Sequence, residues 1–268
     1  MPSLLFLAAF FIAPLFVILE MSFQEGRLPL EGAGVFQNYQ RLFADTFYLG
    51  VIAETVGLSV VVTLVAVLMG YPVAYFMVRH ASTRTYDLIV FLLIAPLLTS
   101  IIMRTFGWQV LLARRGLVNE ALLALSLIDR PLGLLNSPLA IVVGLVHVLV
   151  PFMVLSIASV LQGIDRRLEE SARILGAGKL QTFLRVTFPL SIDGVGTGAI
   201  LVFMLANGSF VTLLLLGGGT LQTLPLLIYQ QFNTTRDFPF AAAMSNALLV
   251  LAVICLYAQL RLIRRRGV

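Results

Sequence analysis

Long apolar runs separated by short charged stretches dominate the chain. Residues 3–21 form the first run, which no basic residue precedes and no A-x-A site follows. It is longer than the apolar core of an ordinary signal peptide, so it reads as an uncleaved first helix. A start upstream of Met1 stays open. Residues 23–50 are polar, with Pro29, Gly32 and Gly34 as helix breakers. Within them Phe36, Tyr39, Leu42 and Phe43 recur at helical spacing and predict a short amphipathic helix on the membrane surface. Further spans are predicted at about 51–78, 86–112, 138–161, 190–216 and 240–263, each holding the roughly 20 apolar residues that cross a bilayer. Gly70 and Pro72 predict a kink near the inner end of the second span. Arg79, His80 and Arg84 mark the tight turn that follows it.

Composition agrees with this pattern. Of 268 residues, 59% are hydrophobic and 12% charged, and the mean hydropathy is +0.99. A soluble domain of this length needs more charge to cover its surface. The net charge of +5 raises the question of nucleic acid, but all 18 basic residues except Lys179 are Arg, placed in short loops and at span ends. That placement fits topology and lipid headgroups, not a phosphate-binding face. Counting the basic residues gives 11 on the inner side and 7 on the outer side when both termini lie inside. The fold class is therefore an all-α polytopic membrane protein of about six transmembrane helices, both termini cytoplasmic. Cys255 is the only cysteine, and His80 and His147 are isolated, so neither a disulfide nor a metal site has material.

The most charged stretch lies between the fourth and fifth spans, from Asp165 to Lys179. Asp165 is a good N-cap, and Glu169 and Glu170 place negative charge in the first half of the helix it opens. Ala172 and Gly176 are four apart and leave a face of small residues. Gly176 and Gly178 permit a sharp turn into a second short helix over 180–187, and Pro189 restarts the chain toward the fifth span. The stretch Gly176-Ala-Gly-Lys179 is not a phosphate-binding loop. Position 173 is Arg where that loop needs Gly, and position 180 is Leu where it needs Ser or Thr. The chain itself is not expected to hydrolyse ATP.

Glu170-Ser171-Ala172, three residues, Gly176, nine residues, then Val186-Thr187-Phe188-Pro189 resembles the E-A-A-x3-G-x9-I-x-L-P loop of ABC importer permeases. Ser171, Val186 and Phe188 depart from the pattern but keep the size class. The segments Gly34–Tyr39, Arg104–Trp108, Gly116–Asn119 and Leu224–Tyr229 are similar to the spermidine/putrescine branch of that superfamily. The resemblance implies one transmembrane permease domain over residues 1–268, with its core at about 51–263 and a coupling loop at 164–189. It implies a bacterial inner-membrane subunit that pairs with a homologous permease, an ABC ATPase dimer and an extracytoplasmic solute-binding protein. ATP and Mg would be bound on the ATPase, and this chain would bind no cofactor. Glu169, Glu170, Ser171, Ala172, Gly176, Ala177, Phe183, Val186 and Pro189 would dock the ATPase and pass its closure to the spans.

Polar residues inside spans are costly in lipid and are therefore candidates for the translocation path. Glu54, Arg104, Trp108, Asn207, Ser209, Thr212 and Asn246 qualify. Asn207-Gly-Ser-Phe210 resembles the gate region of the family, where the helix is irregular. A structural ion pair or headgroup contact is the competing reading of Glu54 and Arg104. Gly217, Gly218, Gly219 and Thr220 form the outer loop that the resemblance assigns to the binding protein, with a flexible loop tip as the alternative. Gly194 and Gly198 are four apart and are expected to admit a close helix neighbour. The cargo implied is polyamine-like, though the same branch carries relatives for iron(III), opines and aminoethylphosphonate. A self-sufficient secondary transporter would need its own ion site and usually an internal repeat, and none is evident. A membrane enzyme would need catalytic motifs that the sequence lacks.

Overall fold

The computed structural model describes residues 2–26 and 34–264, all of whose regular structure is helical. Arg27, Pro29, Glu31 and Gly32 of the polar stretch, and Arg265 and Arg266 of the terminal basic cluster, lie outside the described residues. Helix α1 (Pro2–Met21) is followed by the short α2 (Gln37–Ala44) and by α3 (Thr46–Arg79), which runs unbroken for 34 residues. The span begins at Thr46, five residues before the apolar run, because the Asp45 carboxylate accepts from the Phe47 amide at 2.9 Å and caps the helix. The helix continues through Gly70 and Pro72, where the sequence predicts a kink. A Cβ at Gly70 would lie 3.0 Å from Met153, so this glycine lets α3 approach the neighbouring helix closely.

The predicted third span is not straight. Helix α4 (Thr83–Ile94) tightens into a 3-10 turn over Ala95–Leu98, and α5 (Ile101–Leu112) departs from it at 101°. Pro96 supplies no amide, and Thr99 adopts an extended backbone while its hydroxyl donates back to the Pro96 carbonyl at 2.7 Å. Helix α6 (Leu117–Ala124) precedes α7 (Pro138–Gly163), a continuous span capped by Ser137. The loop after α7 carries α8 (Arg166–Ile174), α9 (Lys179–Thr182), a wide π turn over Phe183–Thr187 and α10 (Phe188–Leu190). Pro189 therefore lies inside a helical segment, and the 59° bend toward the next span falls two residues later at Ser191.

The fifth span is also divided, into α11 (Ile192–Asn207) and α12 (Val211–Leu216). Helix α13 (Leu224–Gln230) returns the chain to α14 (Phe238–Arg264). Among the described residues, α3, α7 and α14 can each cross a membrane by length and composition, and the number reaches five when each of the two bent helix pairs is one span.

Helices α3, α7 and α11 form the centre of the bundle and share a core that includes Val62, Ala66, Ala74, Met153, Ile157, Leu161 and Val202. Gly194 and Gly198 admit α7, as the sequence spacing implies. Added Cβ atoms there would lie 3.1 Å from the Ile157 Cα and 2.7 Å from the Met153 sulfur. Helix α2 is amphipathic, but it does not merely rest on headgroups. Leu42 is fully buried among Tyr48, Phe240 and Met244, while Phe36 and Phe43 face outward. Asn38 donates to the carbonyls of Ser22 and Gln24, and Arg41 pairs with Asp237 at 3.2 Å, fastening α2 to the end of α1 and the start of α14.

Candidate functional site

The segment from Asp165 to Ser191 projects from the inner end of the bundle. Asp165 caps α8 as the sequence predicts, accepting from the Arg167 amide at 2.9 Å. The helix ends in a closed turn. The Ala177 amide donates to the Ala172 carbonyl and the Gly176 amide to the Arg173 carbonyl, both at 3.0 Å, with Gly176 at φ +88. This is the Schellman arrangement, and its left-handed position explains why glycine stands there. A Cβ at Gly176 would meet nothing within 4 Å inside this chain.

Around that turn Ile174 and Leu175 are each 86% exposed and Leu180 is 71% exposed. Beside them lies a groove of about 290 Å³ lined by Ala172, Gly176, Ala177, Thr182, Arg185 and Val186. Three large apolar side chains exposed around one turn mark a site of association. The sequence-predicted docking residues divide here into two sets. Glu170, Ser171, Ala172, Gly176, Ala177, Val186 and Pro189 are exposed or half-exposed.

Glu169 and Phe183 point inward instead. Glu169 is buried, accepting from Arg79 Nε at 2.9 Å and from the Thr187 hydroxyl at 3.0 Å. Phe183 packs edge-on against Tyr71 and Tyr75. These two residues tie the segment to α3, Glu169 buried and Phe183 half-buried. Arg79 and Tyr71, whose hydroxyl shares a 2.7 Å hydrogen bond with Ser191, were not among the sequence candidates. A lone Arg closing an apolar span is the only local trace that Arg79 leaves.

The candidates for the path do not converge on one point. Asn207 and Phe210 line a cavity of about 670 Å³ at the break between α11 and α12. Phe210 stacks on Tyr229 with ring centres 4.9 Å apart, and Asn233 and Ser245 contribute polar groups to the same lining. Asn207 is 3% exposed, and its Oδ1 has no hydrogen-bond partner. Ser209 lies within the break, and the buried Thr212 hydroxyl on α12 is also unpartnered. The irregular helix expected at 207–210 is thus present. Asn246 on α14 donates instead to the Tyr39 hydroxyl at 3.2 Å.

Trp108 belongs to a second hollow, of about 370 Å³, where its indole N–H donates to His147 Nδ1 at 3.1 Å. Arg104, on the same helix, is half-buried, with Nε and Nη1 unpartnered. Glu54 does not pair with it. The Glu54 carboxylate accepts from the Gln222 amide at 2.9 Å and so braces the outer loop. That loop carries hydrogen bonds of its own. Gly217 is buried, Gly218 and Gly219 have φ of +53 and +83, and the Thr220 hydroxyl donates to the Gly217 carbonyl at 2.7 Å.

Residues 1–267 match the family described as "Binding-protein-dependent transport system inner membrane component". The spermidine/putrescine transport system permease protein PotB of Escherichia coli (strain K12) is 38% identical over 213 residues, covering 80% of this chain and 77% of the relative. PotB of Haemophilus influenzae is 33% identical over 259 residues, covering 94% and 88%. Among solved structures, a bacterial ABC transporter involved in alginate import aligns at TM-score 0.82 with 19% identity, covering 99% of this chain and 93% of that one. The inward-facing MetNI methionine transporter aligns at 0.62 with 17% identity over 85% and 98%. These two share the fold. With the exposed inner turn, the broken fifth span and the whole-length match together, the chain belongs to the family of binding-protein-dependent transport inner-membrane components, as a multi-pass permease subunit and not an enzyme.

Proposed function

We propose that this chain forms, with a homologous permease, the membrane path of a type I ABC importer for a polyamine-like cation. An extracytoplasmic solute-binding protein delivers the cargo at the outer loop around Gly217–Thr220. A dimer of ABC ATPases docks on the outward residues of α8 and α9. The observation that carries this reading is the inner turn at Gly176, where Ile174, Leu175 and Leu180 lie open beside a small-residue groove. Leaving so much apolar surface in water has no purpose within a lone chain.

The relatives named for spermidine/putrescine transport support the cargo class. The cavity at the α11–α12 break is compatible with it. Its lining carries the Phe210–Tyr229 pair and, among the described residues, no Lys or Arg. Aromatic faces attract ammonium groups by about 0.5–2 kcal/mol each, whereas a fixed cation would repel them.

Reconstituting the complete complex in proteoliposomes and measuring ATP-driven uptake of labelled spermidine tests the proposal. Saturable uptake that putrescine competes is expected. Uptake of iron(III), an opine or aminoethylphosphonate in its place would overturn the cargo assignment and leave the machinery intact. Uptake by this chain alone, driven by an ion gradient, would overturn the machinery.

A further inference from the structure

Helix α3 is fastened at both ends to the two surfaces that face partners. At its inner end Arg79 Nε donates to Glu169 at 2.9 Å, Arg79 Nη2 to the Ile164 carbonyl at 3.2 Å, and Arg166 reaches back to the Val78 carbonyl at 2.7 Å. Tyr71 and Tyr75 add an aromatic contact with Phe183, and Tyr71 bonds Ser191. The docking segment is covalently joined to α7 and α11, yet its densest polar attachment is to α3. At the outer end, two residues one position apart hold the other partner-facing loop. Glu54 accepts from the Gln222 amide and the Thr55 hydroxyl from the Leu224 amide, both at 2.9 Å.

Between these joints the helix is unbroken, and from Glu54 to Arg79 it spans about 38 Å at 1.5 Å per residue. Thr55, Ser59 and Thr63 are buried and donate to their own helix one turn back, so no polar side chain on that face is left to open a wet seam. An unbroken helix transmits displacement along its axis far better than a chain of loops.

We propose that α3 is the rod that links the inner docking segment to the outer loop, carrying the signal of binding-protein arrival to the ATPase. Arg79, Glu169 and Thr55 are its positioning residues. The inference rests on the outer-loop and ATPase-docking readings above.

The test uses the complete complex in nanodiscs. Thr55→Val keeps the shape and removes the acceptor for the Leu224 amide, while Thr55→Ser restores it. Basal ATP hydrolysis and binding-protein retention are expected to stay at wild-type levels in both. Stimulation of hydrolysis by saturating loaded binding protein is expected to fall about fivefold or more in Thr55→Val and to recover in Thr55→Ser, the usual size of a site-to-site coupling. Full stimulation in Thr55→Val would overturn the proposal. A second measurement does not depend on where the binding protein lands. In a Cys255→Ser background, spin labels at exposed Leu68 on α3 and exposed Leu180 on the docking segment are compared with and without trapped nucleotide. A constant Leu68–Leu180 distance, alongside a changing distance from Leu180 to Val253 on α14, is expected. A Leu68–Leu180 distance that changes as much as the reference would overturn the rod. Failure of the outer-loop reading shows separately, as unchanged binding-protein retention in Thr220→Trp.

Discussion

Arg79 closes α3 with its guanidinium Nε 2.9 Å from Glu169 Oε1 on α8, and the two side chains are only 5% and 9% exposed. Ninety residues separate them along the chain. The carboxylate is further satisfied by Thr187, and the guanidinium by the Ile164 carbonyl. A pair so buried is costly to break, because one partner alone leaves an uncompensated charge.

Arg79→Met or Glu169→Leu is therefore expected to lower stability by about 3–5 kcal/mol. The double change Arg79→Met with Glu169→Leu should cost clearly less than the sum of the two. Thermal unfolding of the purified complex in detergent, read by loss of monodisperse protein, measures both. Equal losses in the double and the summed singles would show that the two side chains act independently.

Gly176 separates backbone demand from partner contact. Its φ of +88 means that a non-glycine residue costs about 1 kcal/mol, yet no atom of this chain lies within 4 Å of an added Cβ. Gly176→Asn, which tolerates the left-handed region, is expected to retain most uptake. Gly176→Trp is expected to leave the chain in the membrane, release the ATPase on purification and abolish uptake. Normal uptake in Gly176→Trp would remove the docking role of this turn.

Gly198 is a packing glycine, with an added Cβ only 2.7 Å from the Met153 sulfur and 3.2 Å from the Ser156 Cβ. Gly198→Leu is expected to cost about 1–3 kcal/mol or more by forcing α11 away from α7. Reduced membrane level is the readout. Gly57→Ala supplies a control, since that helical glycine has nothing within 4 Å of an added Cβ.

Asn207 carries a buried carbonyl oxygen with no partner, a standing cost of about 1–3 kcal/mol. Asn207→Leu is expected to hold or raise the thermal stability of the complex while lowering spermidine uptake at unchanged ATPase attachment. A fall in stability with uptake unchanged would make the residue structural.

The cap at Asp165 and the turn at Gly176 were legible because both residues answer local backbone demands. The continuous spans α3, α7 and α14 were legible because uninterrupted apolar length is a one-dimensional property. The 101° turn at Thr99–Ser100 was not, since hydropathy averages over a break of two residues and does not register where the backbone turns. Glu169 and Glu170 look equivalent in the sequence, one beside the other. Only the arrival of Arg79 from a distant span turns the first inward and leaves the second exposed. Glu54 and Arg104 were both visible as costly intramembrane charges, but their separate surroundings depend on how α5 departs from α4.

The most direct measurement of the docking claim is a covalent one. In the assembled transporter, with Cys255 replaced by Ser, a cysteine at the exposed Leu175 is paired by a short crosslinker with native or introduced cysteines on the ATPase. A crosslink from Leu175 to the ATPase that blocks ATP-driven uptake until reduced is the expected result. Efficient uptake with no ATPase adduct from Leu175, Ile174 or Leu180 would contradict the account.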